Sequence, residues 1–234
     1  MTNIIPESLA EKIISEKIEE WEEKRKKIQK VETLEVHPFL VISRDFGCGE
    51  EHIIPALEKK LGWPVYGKDL LDFMVEREGV SHAVLETLDE KGKAQVFDWV
   101  NYILGSGAIL QKDYVLKISR LIKTIVLQES AIILGRGGNQ ILKEKPGGLR
   151  IKITAPFEDR VSHISQIRKM SLEKAVDLVR QIDNERREFV ETYFHEDVHS
   201  MSGFDMIFNT KSFSEDALCK TIQFAMEERK RQSL

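Results

Sequence analysis

Cysteine is nearly absent from this sequence: Cys48 and Cys219 are the only two in 234 residues, and no CxxC spacing occurs. That excludes a disulfide framework and a cysteine-built zinc site, and it suits a reducing compartment, so a cytoplasmic location is expected. Long apolar runs are missing as well. The longest are strand-sized and broken by charge, so no membrane span is expected. The opening Met-Thr-Asn-Ile-Ile-Pro-Glu leads into a charged helix without the apolar stretch or cleavage site of a signal peptide, and export is not expected. Nor is there an excess of positive charge. At a net charge of −4 no global basic field draws the chain to nucleic acid or acidic membranes, so any anion must be bound locally.

What is present is an ordinary globular balance, 41% hydrophobic and 32% charged, in a chain long enough for one substantial core. Residues 7–30 place Leu9, Ile13, Ile14, Ile18, Trp21 and Ile28 at helical spacing after Pro6. This predicts an amphipathic helical arm over residues 1–37, either packed on its own domain or forming a homodimer. Beyond Pro38, Phe39-Leu40-Val41-Ile42-Ser43 reads as a buried parallel strand. It is followed by a glycine loop and by helical spacing at Ile53, Ile54, Leu57 and Leu61, closed by Gly62.

Further strands are predicted at 63–66, 131–134, 149–154 and 206–210, separated by helical patterns, including long ones over 94–129 broken at Gly105-Ser106-Gly107. Alternation of this kind is the mark of an α/β fold. We expect a parallel five-stranded sheet flanked by helices, with ligands beyond the carboxyl ends of its strands. The domain is expected to run over 38–234, with a helical insertion at 72–130 and a lid at 165–203.

Two glycine loops stand out. Gly47-Cys48-Gly49 lies between a strand and a helix, where backbone amides and a helix N-terminus favour phosphate, although a plain turn would read the same. Gly135-Arg136-Gly137-Gly138-Asn139 also follows a strand and would open onto the same sheet edge. Its Arg136 is a planar cationic fork suited to phosphate. Arg180, Arg186 and Arg187, beside Asp183 and Glu185, form either a solvated helix face or the arginines of a closing lid.

These segments resemble the cytidylate kinase-like family, relatives of the nucleoside monophosphate kinases, over residues 38–225. The strand and loop Val41–Gly49, the segment Val65–Leu71, the Gly-Arg-Gly-x-Asn run at Ile132–Leu142, the strand and Asp-Arg helix of Leu149–Ile164, and Phe204–Thr210 occur in the family's order. The resemblance implies transfer of the ATP γ-phosphoryl group to CMP or dCMP, with Mg²⁺ bridging phosphates. It implies that Gly47, Cys48, Gly49, Asp69, Arg136 and Asn139 bind nucleotide. It further implies that Asp183 and Arg186, an Asp-x-x-Arg pair, close on the phosphates with Arg44. Departures from the pattern are visible. Glu50, Glu51 and His52 stand where a P-loop has Lys and then Ser or Thr, for which Arg44 is a candidate replacement. Gly67 stands where the family often has aspartate, with Lys68 and Asp69 as the nearest substitutes. The departures leave open a nucleotide-binding regulatory relative without turnover.

One competing motif remains. His195-Glu196-Asp197-Val198-His199 fits His-Glu-x-x-His, which on a helix would build a zinc peptidase site, with Glu215 a conceivable third ligand. It falls where helical periodicity fades.

Overall fold

The computed structural model describes residues 5–27, 35–105, 113–143, 145–197 and 200–232. Five strands, β1 (Phe39–Arg44), β2 (Val65–Tyr66), β3 (Ala131–Leu134), β4 (Gly148–Thr154) and β5 (Met206–Asn209), form one sheet in the order β2-β3-β1-β4-β5. Every pairing is parallel. The expected parallel sheet is therefore present, with β1 at its centre. β2 is shorter than expected: Trp63 and Pro64 stay outside it, Pro64 still accepting a backbone hydrogen bond from Ile132 at 2.9 Å.

Strand alternation divides the core. Phe39 and Val41 of β1 point to one face, joining Tyr66, Ala131 and Ile133. Leu40 and Ile42 point to the other, joining Ile132, Ile151, Ile153 and Phe208. The first face is covered by α1 (Glu7–Lys27), α3 (Lys68–Glu76), α4 (Glu78–Glu86) and α6 (Asp113–Gln128), the second by α2 (Glu50–Leu61) and α10 (Glu215–Gln232). Helix α5 (Glu90–Gly105) packs on α6, and the short α7 (Gly138–Ile141) sits beside β1. The expected break at Gly105-Ser106-Gly107 coincides with the end of α5, but Ser106 and Gly107 lie outside the described residues. Gly62 caps α2 in the left-handed region, φ +67°, its N–H bonding Glu58 O at 2.9 Å.

Two helices, α8 (Phe157–Arg168) and α9 (Leu172–Phe194), form an antiparallel hairpin beyond β4. Val161 and Ile164 of α8 and Ala175 and Val179 of α9 bury a small cluster that also takes in Phe46. The glycine loop after β1 is thus anchored to the hairpin by apolar contact.

The N-terminal helix shares the main core. Ala10, Ile14 and Trp21 are buried in it, Trp21 completely, against the α3–α4 side. Lys17 Nζ reaches Glu129 Oε2 at 2.6 Å, and the other oxygen of Glu129 accepts from Tyr66 at 2.6 Å. Ile14 and Trp21 of the stripe read from sequence are thus buried within the chain, while Leu9 stays exposed. Trp21→Ala should therefore cost about 3–5 kcal/mol in denaturant unfolding, as for other buried tryptophans; an arm independent of the domain would show no change.

Lys123 on α6 is fully buried, and its Nζ makes no hydrogen bond. It lies 4.7 Å from the Trp99 ring centroid. Burial, with Lys145 nearby, lowers its pKa to about 6. The folded chain thus holds this proton more weakly than the unfolded one, whose lysines titrate near ~10.4. Between those values the unfolded state carries more protons, so this group makes stability rise with pH. Lys123→Met should raise Tm at pH 7 and flatten its dependence between about pH 6 and 10. A lower Tm with an unchanged pH slope would count against the burial account.

Candidate functional site

The loop Arg44–Glu50 runs from the end of the central strand into α2, and its shape depends on two glycines in the left-handed region, Gly47 at φ +82° and Gly49 at φ +88°. They differ in surroundings. A side chain at Gly47 would meet Ile164 Cγ1 at 2.7 Å and the Arg160 carbonyl at 3.0 Å, so this glycine permits close contact with α8. Gly49 has nothing within 4 Å, leaving its side of the loop open to a ligand.

Charged residues clamp the loop. Asp183 on α9 accepts the Phe46 N–H at 2.9 Å, while Arg160 on α8 donates to Phe46 O at 2.9 Å and to Asp183 at 2.6 Å. Arg186, one turn after Asp183, donates to the Arg44 carbonyl at 2.8 Å and lies 3.6 Å from Glu50 Oε1. Asp45 is held by Thr154 and by Lys152, the latter at 3.4 Å. Glu51 contacts His163 on α8. Cys48 lies 3.6 Å from Glu50, and burial with the adjacent Glu50 and Asp45 carboxylates pushes its thiol well above the usual range. It is not a nucleophile at neutral pH.

Arg44 stands apart. Its Nε is buried without a hydrogen-bond partner, and Nη1 would lie 2.7 Å from a Cβ placed on Gly135. Its guanidinium thus reaches from the first glycine loop to the second. Burial, with Arg186 as a like charge, lowers its pKa to about 10, leaving it charged at neutral pH.

In the second loop Arg136 adopts φ +51°, and its fork grips the Asp72 carboxylate of α3 through Nε at 2.7 Å and through Nη2. Tyr114 donates to the same carboxylate at 2.7 Å, and the Phe189 ring lies 4.9 Å from the guanidinium. A side chain at Gly137 would collide with Phe194, which fixes that glycine against the end of α9.

Two cavities flank the first loop. One, of about 470 Å³, is lined by Arg44, Arg160, Arg180, Arg186 and Arg187 against the carboxylates of Asp45 and Asp183, a surplus of three positive charges. It is built to attract a multiply charged anion. The other, of about 400 Å³, lies by Gly47, Gly49 and His52 and is walled by His163, Thr210, Lys211 and Phe213.

The structure thus gathers Arg44, Gly47, Cys48, Gly49, Asp183 and Arg186 around one loop. Arg136 stands at the neighbouring loop. Asn139 is buried in α7, its amide nitrogen 3.1 Å from where a Cβ on Gly203 would lie. Asp69 occupies the first turn of α3, but the carboxylate that meets Arg136 is Asp72, one turn on. Asp72 and His163 were not singled out from sequence, and Arg160 entered only as part of the Asp-Arg helix, without a role. The spacing of Asp69 and Asp72 on one helix face was the available signal for the first. The zinc reading loses its helix: α9 ends at Phe194, and His195 caps it at φ +52°. Val198 and His199 lie outside the described residues.

A model of the cytidylate kinase-like family matches residues 40–212. Among solved structures, the chain is similar to an uncharacterized protein from Eubacterium ventriosum, with a TM-score of 0.64 and 20% identity over 82% of this chain and 99% of that one. It also matches shikimate kinase from Bacteroides thetaiotaomicron, at a TM-score of 0.42 and 12% identity over 81% of this chain and 98% of that one. Shikimate kinase from Aquifex aeolicus gives 0.37 and 16% over 81% and 96%. No curated protein matches the chain. The family match begins in the central strand, spans both glycine loops and the α8–α9 hairpin that clamps the first of them, and ends beyond β5, so the chain belongs to the cytidylate kinase-like family.

Proposed function

We propose that the protein binds ATP and transfers its γ-phosphoryl group to a nucleoside monophosphate, CMP or dCMP. The observation that carries this reading is the cavity of five arginines at the end of the central strand, on a loop whose open, left-handed Gly49 lines the second cavity. Such a site holds phosphates through backbone amides, guanidinium forks and the α2 N-terminus. The second cavity, with the Phe213 ring and the polar groups of Thr210 and His163, suits the donor's base and sugar. Arg136 is the acceptor-phosphate fork, which Asp72 holds in orientation until a phosphate competes for it. Asp183 and Arg160 keep the loop in shape, and Arg186 approaches from the α8–α9 lid to neutralise charge on the transferred group.

The donor chemistry suits Mg²⁺, which takes one or two carboxylate oxygens and completes its shell with phosphates and water. Glu51, in the position of the P-loop hydroxyl, and Asp45, at the cavity wall, are the residues that would offer such oxygens. When bound, the ion would offset the charge of the phosphates. A second reading, nucleotide binding without turnover, is favoured by one observation: both carboxylates in the lysine and hydroxyl positions have partners within the chain, Arg186 and His163.

Calorimetric titration with ATP and then CMP in Mg²⁺, followed by a coupled phosphoryl-transfer assay, separates the readings. Binding with turnover is expected, and binding without turnover would favour the second. Arg186→Ala should lower turnover by about 10³-fold, as for other arginines acting on a transferred phosphoryl group, with CMP affinity little changed. Arg136→Ala should weaken CMP by about tenfold or more, the loss of one charge-assisted contact, while ATP affinity holds. Equal loss of both ligands would mean that the acceptor side has been misassigned.

A further inference from the structure

Most arginines facing the two glycine loops already have a carboxylate from the chain itself. Arg136 has Asp72, Arg160 has Asp183, and Arg186 has Glu50. Arg44 has no ion pair of this kind among the described residues, and its buried Nε has no hydrogen-bond partner. A desolvated guanidinium left in this state costs stability, because burying a polar group without a partner is unfavourable. A cation kept at such a cost points to an anion that arrives from outside. Its position supports this: Arg44 lines the arginine cavity and touches the second glycine loop, so it lies where a phosphate passing between the loops would be. Glu50 is the opposing piece. It stands one residue after the open Gly49, in the lysine position, next to Arg186 and within the field of Arg44.

We propose that Arg44 is the cation that replaces the missing phosphate-loop lysine, and that Glu50 is an internal anion which an incoming polyphosphate, reaching the unpaired Arg44, displaces from Arg186. The inference rests on the phosphate site proposed above and adds its regulation. Without ligand, Glu50 offsets the arginines and holds Arg186 on the loop, so the hairpin is seated on the loop before nucleotide binds. With ligand, phosphate oxygens take over both guanidinium groups and the carboxylate turns away. The exchange trades affinity for a resting site whose positive charge is partly offset: a phosphate that binds Arg186 must first compete with a tethered carboxylate. It also selects for ligands of high charge, since a single phosphate competes poorly with a carboxylate already in place, while two or three linked phosphates compete well.

The test is calorimetry with inorganic pyrophosphate and with ATP, both in Mg²⁺, on the full chain. Glu50→Gln keeps the side chain's shape and removes its charge. It should tighten pyrophosphate by about tenfold, the scale on which a like charge beside a bound anion acts. Arg44→Met should weaken pyrophosphate by about tenfold or more, as expected for losing one charged hydrogen bond, while leaving Tm unchanged or raised, because it removes a desolvated charge. Arg44→Lys should retain part of the binding. Unchanged pyrophosphate affinity in Glu50→Gln overturns the displacement proposal but leaves the nucleotide reading standing if ATP binds both proteins. Pyrophosphate that binds and tightens as expected, with ATP binding no better than pyrophosphate, supports the phosphate exchange and overturns the nucleotide reading. A loss of binding in Arg44→Met accompanied by a collapse of Tm would assign Arg44 a structural role and sink its part of the proposal.

Discussion

Asp183 ties three parts of the molecule together. One carboxylate oxygen accepts the Phe46 N–H of the glycine loop, and the other accepts from Arg160, which in turn donates to the Phe46 carbonyl. Loop, α8 and α9 therefore meet in a closed set of hydrogen bonds around a single residue, Phe46. Charged hydrogen bonds of this kind are roughly twice as strong as neutral ones, and leaving any member unpaired costs its full desolvation. The Phe46 ring reinforces the same join from its apolar side, buried with Val161, Ile164, Ala175 and Val179. Position of the loop at the end of β1 and position of the α9 arginines are consequently one constraint. Arg186 follows Asp183 by three residues on the same helix face, so fixing Asp183 aims Arg186 at the loop.

The electrostatic arrangement around that join has a common form. Three of the cations that face the loops, Arg136, Arg160 and Arg186, are matched by carboxylates of the chain, which offsets part of the cleft's positive charge and leaves the rest for a ligand. Arg136 shows the form most fully, with a two-point hold on Asp72, a Tyr114 hydroxyl on the same carboxylate and the Phe189 ring against its plane. Guanidinium groups tolerate such sites because they are weakly hydrated and stack on rings. The arrangement keeps each fork oriented, so a phosphate that displaces a carboxylate meets a donor already in place. Pre-organisation of this sort lowers the reorganisation that binding or transfer would otherwise require.

The departure of the loop from the usual P-loop chemistry is local in sequence but not in consequence. Glu50 and Glu51 look repulsive to a triphosphate when read in order along the chain. In space, Glu50 faces Arg186 and Glu51 contacts His163, so both carboxylates have partners on the α8–α9 hairpin. The hairpin and the loop have complementary charge patterns, and neither can be interpreted alone.

Much of the fold was legible in the residues. The unbroken apolar run Phe39, Leu40, Val41 and Ile42 announces a strand buried on both faces, and the left-handed turns at Gly47 and Gly49 need glycine wherever they occur. These are properties of neighbours along the chain, where period and backbone sterics act directly. The helical stripe through Ile14 and Trp21 was equally legible, but its partner was not, because an apolar stripe specifies burial without naming the surface that covers it. The site divides in the same way. Sequence alone determined the sheet, its two glycine loops and an acid–arginine pair on a late helix. Tertiary structure alone decided that Arg136 meets Asp72 and not Asp69, that Asp183 braces a loop 137 residues away, and that Glu50 lies against Arg186. Charge pairing over such separations depends on which elements pack together, and Coulomb attraction acts on distance in space, without regard to position in the chain.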